Sequence, residues 1–375
     1  KIINNYNIIL TNSIKKKLLY IIKNLGYSLL SLVHGKIDGI LDPDDHLSIQ
    51  THIKKIDTKF SYKIYEINHC RIYTDTVTDT AFIIDDKLIK GPSFQHRNPK
   101  NASETENIVF KKGTPKLKKK LKGTVFSLLT GGGGNANYWH WLFDVLPRIK
   151  ILEGIKKIDE IDFFLLPDVE KKFQVESLDL FDIPEKKRIS SKIFRHIFAD
   201  KAIAVDHPYV IKNDPTTEIQ NMPLWIIKFL RDSFLNKRNK KEFPKKIYID
   251  RKDATSNHRH LRKILNEEKV KTFLSEKGYS IISLSDFSFD DQVHLFAKAS
   301  SVIGLHGAGF ANLVFCKPNT KILELKSEHA GLMIANLAKK VKLDYNAITI
   351  KPEKYSNNQQ GLINVPINLL EKKIS

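Results

Sequence analysis

The sequence predicts an α/β protein of two Rossmann-like units with a cleft between them and a β-rich elaboration near the N-terminus. Three observations carry this expectation. Residues 246–350 alternate short apolar strands with amphipathic helices, the pattern of a parallel sheet covered on both faces. Inside that stretch a glycine turn, His306-Gly307-Ala308-Gly309, joins a strand to a helix. A second α/β block lies ahead of a region punctuated by Pro208, Pro215 and Pro223. At 375 residues and 41% hydrophobic content, the chain is long enough for two cores, because single cores stop growing near ~250–300 residues.

Taken in chain order, residues 11–31 read as an amphipathic helix, with Leu18, Leu19, Ile21, Ile22, Leu25, Leu29 and Leu30 set among Lys15, Lys16, Lys17 and Lys23. Such a helix either packs on its own domain or lies on an anionic membrane surface. Asp42-Pro43-Asp44-Asp45 follows; its placement in a polar turn favours a cap or loop over a divalent-ion pair. Residues 62–67, 71–74, 81–84 and 88–89 form short β-rich runs that suggest an antiparallel meander. The cationic run Lys116-Leu117-Lys118-Lys119-Lys120-Leu121-Lys122 is a solvated face or a contact for anionic lipid or acceptor. A strand over 124–129, a four-glycine hinge at 131–134, a helix over 137–152 and strands at 162–166 and 202–205 complete the first α/β unit. A helix over 224–236 follows the proline region.

In the second unit, strands are expected at Lys246–Asp250, 279–283, 301–304, 321–325 and 344–348, with helices over 260–277, 289–299 and 331–340. Glycines at the 306–309 turn let backbone amides approach an anion, and the following helix N-terminus adds partial positive charge. Glu324, at the end of the next strand, is placed to accept from ribose hydroxyls. The block therefore reads as a cradle for a nucleoside diphosphate.

Two further groups carry chemistry. Asn137-Tyr138-Trp139-His140-Trp141-Leu142-Phe143-Asp144-Val145-Leu146-Pro147-Arg148 puts His140 and Asp144 four residues apart on one helical face. That pair suits a general base and its orienting partner, with Asp144 as the base if it is buried and otherwise His140 as the base with Asp144 fixing its tautomer, or else it is a satisfied surface pair at a helix start. Arg251, at a strand end in Tyr248-Ile249-Asp250-Arg251, is placed to hold phosphate oxygens, or to pair with Asp253 or Glu267 and shape the loop.

Lys and Arg outnumber Asp and Glu by 62 to 42, a formal charge of +20. The excess favours anionic partners, and an AT-rich codon bias accounts for part of it. The two cysteines, Cys70 and Cys316, cannot form a disulfide framework, which fits a reducing compartment. No apolar run approaches the roughly 18 residues of a spanning helix. The first residue is Lys1 rather than Met, which is compatible with a preceding segment. Phosphate-loop, His-Glu-x-x-His and Cys-x-x-Cys patterns are all missing. Asn101-Ala102-Ser103 matches a glycosylation sequon but has no secretory signal beside it.

Over roughly residues 62–350 the chain resembles the family 61 glycosyltransferases, a group with bacterial capsule and lipopolysaccharide transferases and eukaryotic luminal xylosyl- and N-acetylglucosaminyltransferases. The resemblance rests on the 137–148 block, Tyr248-Ile249-Asp250-Arg251, Arg262 with Asn266-Glu267, Asp291-Gln292 and the stretch from His306 to Glu324. It implies a GT-B architecture, a nucleotide-sugar donor (usually a UDP-sugar) and inversion at the anomeric carbon. Carried over residue by residue, it implies donor contacts from Arg251, Arg262, His306, Gly307, Ala308, Gly309, Asn312 and Glu324. It places His140 and Asp144 as catalytic and Asn137, Trp139 and Arg148 on the acceptor side. The extra cysteines and luminal signals of the eukaryotic members are missing here, and residues 1–60 match nothing in the family.

The expected organisation is an N-terminal helical, basic segment (1–60), an acceptor domain (61–210), a nucleotide-sugar-binding domain (211–350) and a C-terminal tail or helix (351–375). The expected activity is inverting transfer from a nucleotide-sugar to a glycan or lipid-linked glycan in surface polysaccharide biosynthesis, with no cofactor and no required divalent metal. The expected place is the cytoplasm, peripheral at the inner face of an anionic membrane. A catalytically inactive glycan- or nucleotide-binding protein is the first alternative. A nucleic-acid-binding protein is a second, although no aromatic-interleaved basic groove supports it. A Rossmann oxidoreductase fails because Gly307-Ala308-Gly309 lacks the Gly-x-Gly-x-x-Gly spacing.

Overall fold

A computed structural model describes residues 2–74, 79–93, 103–129, 137–210, 218, 220–236, 239–252, 262–353 and 361–374. The hinge glycines 131–134, Asp253, Pro215, the stretch 257–261 and most of the sequon lie outside the described residues. Among the described residues the chain is mixed α/β, with a nine-stranded mixed sheet, a five-stranded sheet and a two-stranded sheet.

The nine-stranded sheet is built from β1 (Gly39–Leu41), β2 (Ile49–Lys55), β3 (Ser61–Thr74), β4 (Thr80–Ile84), β5 (Lys87–Ile89), β6 (Lys119–Ser127), β7 (Phe163–Leu166), β8 (Arg188–Ser190) and β9 (His196–Val205). Its order is β1-β5-β4-β3-β9-β6-β7-β8, with β2 also paired to β3. β3 pairs antiparallel with β2, β4 and β9, the expected meander. The pairs β6–β9, β6–β7 and β7–β8 are parallel. β1 and β2 join this sheet, so residues 39–55 are part of it and do not stand apart as an N-terminal segment.

The five-stranded sheet is wholly parallel, in the order β12 (Ser280–Ser283), β10 (Lys246–Asp250), β13 (Ser301–Leu305), β14 (Lys321–Ser327), β15 (Asp344–Ile350). The central strand β13 is buried at every position. That is why it reads as a continuous apolar run rather than an alternation. Two strands of the second unit escaped the sequence reading, as β1, β2 and β8 did in the first. β11 (Arg262–Ile264) pairs in parallel with β16 (Gly361–Ile363), so the expected helix over 260–277 begins only at Glu267 and ends at Glu276. The tail is thereby stitched to the second unit, with Asn266 Nδ2 donating to the Val365 carbonyl at 2.8 Å and Val365 N–H donating back at 2.9 Å.

One hydrophobic core runs through both large sheets, from Tyr62 and Phe126 to Phe289 and Phe315. The helix Leu224–Phe234 lies between them. Trp225 Nε1 donates to the Tyr62 hydroxyl at 2.7 Å, and Arg231 Nη1 donates to the carbonyls of Val314 and Cys316, both at 2.8 Å.

The first helix spans Ile2–His34, longer than expected. Leu18, Ile22, Leu25, Leu29 and Leu32 are all exposed, so this helix does not bury its apolar stripe on its own domain. Its C-terminal part meets the cationic run, where the Lys116 ammonium lies 5.4 Å from the centre of the Tyr27 ring. Lys118, Lys119 and Lys120 are solvated and lie over Phe198 or Phe194. Among the described residues, no helix is long and apolar enough to cross a membrane. Asp42 caps a short 3-10 turn, Pro43–Asp45, by accepting from Asp44 N–H, as the sequence suggested.

Candidate active site

The segment expected as one helix over 137–152 is three pieces. Tyr138–His140 forms a single turn, Trp141–Val145 a π-helical turn and Pro147–Leu152 an α-helix. A π turn widens the backbone spiral and recurs at functional sites. Here the wide turn closes with Leu146 N–H donating to the Trp141 carbonyl at 3.1 Å. Pro147 has no N–H to give, which suits the first position of the last helix.

His140 Nδ1 lies 2.8 Å from Asp144 Oδ2, and the histidine side chain keeps 19% exposure while the carboxylate has none. Tyr209 donates its hydroxyl to Asp144 Oδ1 at 2.6 Å. His207 Nε2 lies 3.6 Å from Asp144 Oδ2. Burial alone would raise the Asp144 carboxyl, but the charge and hydrogen bond of His140, helped by the His207 N–H, outweigh it and hold the group well below the usual range, so burial does not make Asp144 the base. For His140, burial lowers and the Asp144 charge and hydrogen bond raise, and the net is upward from 6.5. Asp144 is thus a permanent anion with no solvent-facing atom, and His140 is the member of the pair that a ligand reaches.

The expected acceptor-side residues are engaged within the protein. Asn137 caps the turn by accepting from Trp139 N–H at 3.0 Å. Trp139 is 4% exposed and its ring lies tilted against that of Phe143, with ring centres 4.7 Å apart. Arg148 is buried, donating to the carbonyls of Asp144 at 3.0 Å and Val205 at 3.1 Å. The Arg148 guanidinium thus ties the π turn to the end of β9.

At the carboxyl edge of the five-stranded sheet, β13 runs into the glycine turn and then a 3-10 helix, Ala308–Phe315. Two guanidiniums converge on one carbonyl there: Arg262 Nη1 donates to His306 O at 2.8 Å and Arg251 Nη1 at 3.3 Å. Burial, with the Arg251 charge beside it, pushes Arg262 down to about 10. An added anion would relieve that repulsion. A Cβ on Gly307 would stand 3.4 Å from Arg251 Cζ, and one on Gly309 2.9 Å from Leu284 Cδ1. The first glycine keeps the backbone close beside the cations, and the second serves packing.

Glu324 is fully buried, and its two oxygens are held by His306 Nδ1 and the Tyr345 hydroxyl. In this arrangement the Glu324 carboxylate fixes His306 from within. Asn312 is likewise buried, donating to Gln292 Oε1 at 3.2 Å and the Gly309 carbonyl at 3.3 Å. Ala308 and Gly309 open the 3-10 helix and are half-buried. Glu267 accepts from Tyr248 at 3.2 Å. Asp291 pairs with Lys241 at 2.7 Å, a structural role.

The two groups share one locality, because the turn Tyr138–His140 packs on the 3-10 helix Ala308–Phe315. Sequence reasoning missed His207, Tyr209 and Tyr345. The first two sit in a segment read as linker, and their signal was a histidine and an aromatic just past the carboxyl end of an apolar strand.

Residues 138–323 match the model of the family described as glycosyltransferase 61. Two plant proteins are similar over shorter stretches. A "Beta-1,2-xylosyltransferase" of Arabidopsis thaliana is 32% identical over 120 residues, 27% of this chain and 22% of that protein. "Beta-1,2-xylosyltransferase RCN11" of Oryza sativa subsp. japonica is 28% identical over 168 residues, 41% of this chain and 31% of that protein. The matched stretches thus span less than a third of these relatives' own lengths. The family match and the names of both relatives are those of glycosyltransferases.

Proposed function

We propose that the chain is an inverting, GT-B-type glycosyltransferase that moves a sugar from a nucleotide-sugar, a UDP-sugar in the first instance, to a glycan or lipid-linked glycan in surface polysaccharide synthesis. The observation that carries the reading is the packing of the His140–Asp144 turn against the element that follows the Arg251–Arg262–His306 cluster. A proton acceptor and a cationic cradle side by side are what a single displacement at an anomeric carbon needs.

In this reading His140 Nε2 takes the acceptor hydroxyl proton as the new glycosidic bond forms and the bond to diphosphate breaks. Asp144 holds the ring in its Nδ1–H tautomer and stabilises the imidazolium. Arg251, Arg262 and the amides of the glycine turn meet the charge that grows on the leaving diphosphate. Two fixed guanidiniums do the work otherwise given to a divalent ion, so no metal is required. The exposed apolar stripe of the first helix, beside Lys15, Lys16, Lys17, Lys23 and the 116–122 run, supports a peripheral position on the cytoplasmic side of an anionic membrane.

The test is a turnover panel of nucleotide sugars, begun with UDP-xylose because of the relatives' names, with wild-type and His140→Ala enzyme. Turnover by wild type that falls by about 10²–10⁴ in the variant is the expected result. Binding without turnover across the panel would favour the inactive binding protein, and undiminished turnover in the variant would remove His140 as the base.

A further inference from the structure

The segment after β9, Val205-Asp206-His207-Pro208-Tyr209-Val210, sends two buried side chains to the far side of Asp144. Tyr209 is 2% exposed and His207 4% exposed. The orientation of His207 is set by the backbone. Its Nδ1 accepts from Val210 N–H at 3.2 Å and from Tyr209 N–H at 3.4 Å. A nitrogen that accepts carries no proton, so the ring is neutral with its hydrogen on Nε2, the atom 3.6 Å from Asp144 Oδ2. Asp144 Oδ2 therefore faces two N–H groups, and Oδ1 faces the Tyr209 O–H at 2.6 Å.

From this geometry we infer that Tyr209 and His207 are positioning residues that clamp Asp144 as an oriented anion and so leave His140 with a free basic nitrogen. The inference rests on His140 being the base. Two hydrogen-bond donors, His140 and Tyr209, and the His207 N–H at the longer distance of 3.6 Å surround one buried carboxylate, and of the three side chains His140 alone has appreciable exposure. A buried carboxylate short of donors is costly. Here the donors come from two elements, the π turn and the segment after β9. Arg148 joins the same two elements through the carbonyls of Asp144 and Val205.

The other charged groups near the clamp are Arg148, Asp206 and Glu218. Asp206 is tied to Lys63 N–H at 2.7 Å and to the Tyr65 hydroxyl at 3.2 Å. Tyr209 itself stays neutral, since burial and then the Asp144 charge raise it well above 10.0. Its role is donation, not proton transfer.

The consequence is a particular direction of change. In Tyr209→Phe, Oδ1 loses its donor and the anion leans more heavily on the His140 N–H. The imidazolium form of His140 gains, and its pKa rises. His207→Asn keeps an acceptor for the two backbone amides but withdraws the donor from Oδ2, and it acts in the same direction.

The experiment is nitrogen-15 NMR titration of the histidine rings in the full chain, run beside pH profiles of kcat. Expected in Tyr209→Phe or His207→Asn is an upward shift of the His140 titration by about half a pH unit or more, with the acid limb of kcat moving alongside. An unmoved His140 titration in a folded variant overturns the clamp, whatever happens to turnover. Independently of any variant, wild-type His207 should hold one neutral Nε2–H tautomer from pH 5.5 to 8.5; an Nδ1–H tautomer or a titration in that range overturns it too. Turnover retained in His140→Ala instead removes the base assignment, an outcome separate from both titrations.

Discussion

The Tyr138 hydroxyl donates a 2.6 Å hydrogen bond to Asn312 Oδ1, and both side chains are buried. Tyr138 is two residues before His140, and Asn312 lies in the 3-10 helix that follows the glycine turn. This bond joins the turn that carries His140 to the element beside the Arg251–Arg262 pair, across 174 residues of sequence.

Removing the hydroxyl in Tyr138→Phe strands a buried acceptor on Asn312. The expected loss of folding stability is about 1–3 kcal/mol, read from urea unfolding at pH 7. Turnover should also fall, with UDP affinity changed less than kcat, because the cradle itself is untouched. Wild-type stability together with wild-type kcat in this variant would show that the bond joins nothing of consequence.

The pH profile follows from the raised pKa of His140. A base must be neutral to accept a proton, so kcat should fall as pH drops through a value above 6.5. The same shift affects stability with a fixed sign. A raised histidine contributes stability below its unfolded pKa, near 6.5, and loses it as pH rises through the folded value. Stability and activity should therefore move in opposite directions across the neutral range for this residue. An acid limb below pH 6 would contradict the His140–Asp144 pairing.

Arg262→Ala should weaken UDP binding by about 1.5–3 kcal/mol, the range for hydrogen bonds to charged groups, and titration calorimetry reads it directly. Arg251→Ala should act alike. With both guanidiniums present, EDTA should leave turnover unchanged; a loss restored by manganese would show that a metal, not the arginines, meets the leaving group.

Glu324→Ala separates an interior role of the carboxylate from a direct ligand contact. The carboxylate holds His306 and Tyr345 in the interior, so its removal should lower stability by about 3 kcal/mol, the scale for breaking a buried pair from one side. The direct ligand reading would instead lower UDP affinity at constant stability, and the two measurements separate these outcomes.

His196 offers a prediction away from the site. Its ring meets those of His34 and Tyr73, with centres 4.7 and 5.6 Å away, and its Nδ1 lies 3.0 Å from the Lys116 carbonyl. Burial pushes its pKa down to about 4. Its neutral form is favoured by the fold, so the stability it contributes is present above 6.5 and is lost as pH falls toward 4. His196→Gln should flatten the fall of the melting temperature between pH 6.5 and 4.5, and an unchanged slope would point to other groups.

What the sequence by itself determined is the second α/β unit and the identity of the reactive pairs. Strands β10, β13 and β14 were legible because strands buried on both faces of a parallel sheet are near-continuous apolar runs, and the edge strands β12 and β15 were legible from their place in the alternation of strands and helices. His140 with Asp144 was legible because a four-residue spacing brings side chains together on a helical turn, and it survives the π insertion. What only the tertiary structure decided is which member of each pair faces a ligand. Spacing places a carboxylate near a histidine, but burial and donors from distant segments set its charge and reach. Asp144 is closed off by Tyr209 and His207 from the end of β9, and Glu324 by Tyr345 from the neighbouring strand. Those contacts span 65, 63 and 21 residues of chain, a range over which local periodicity carries no signal and only the packing of the sheets brings the groups together.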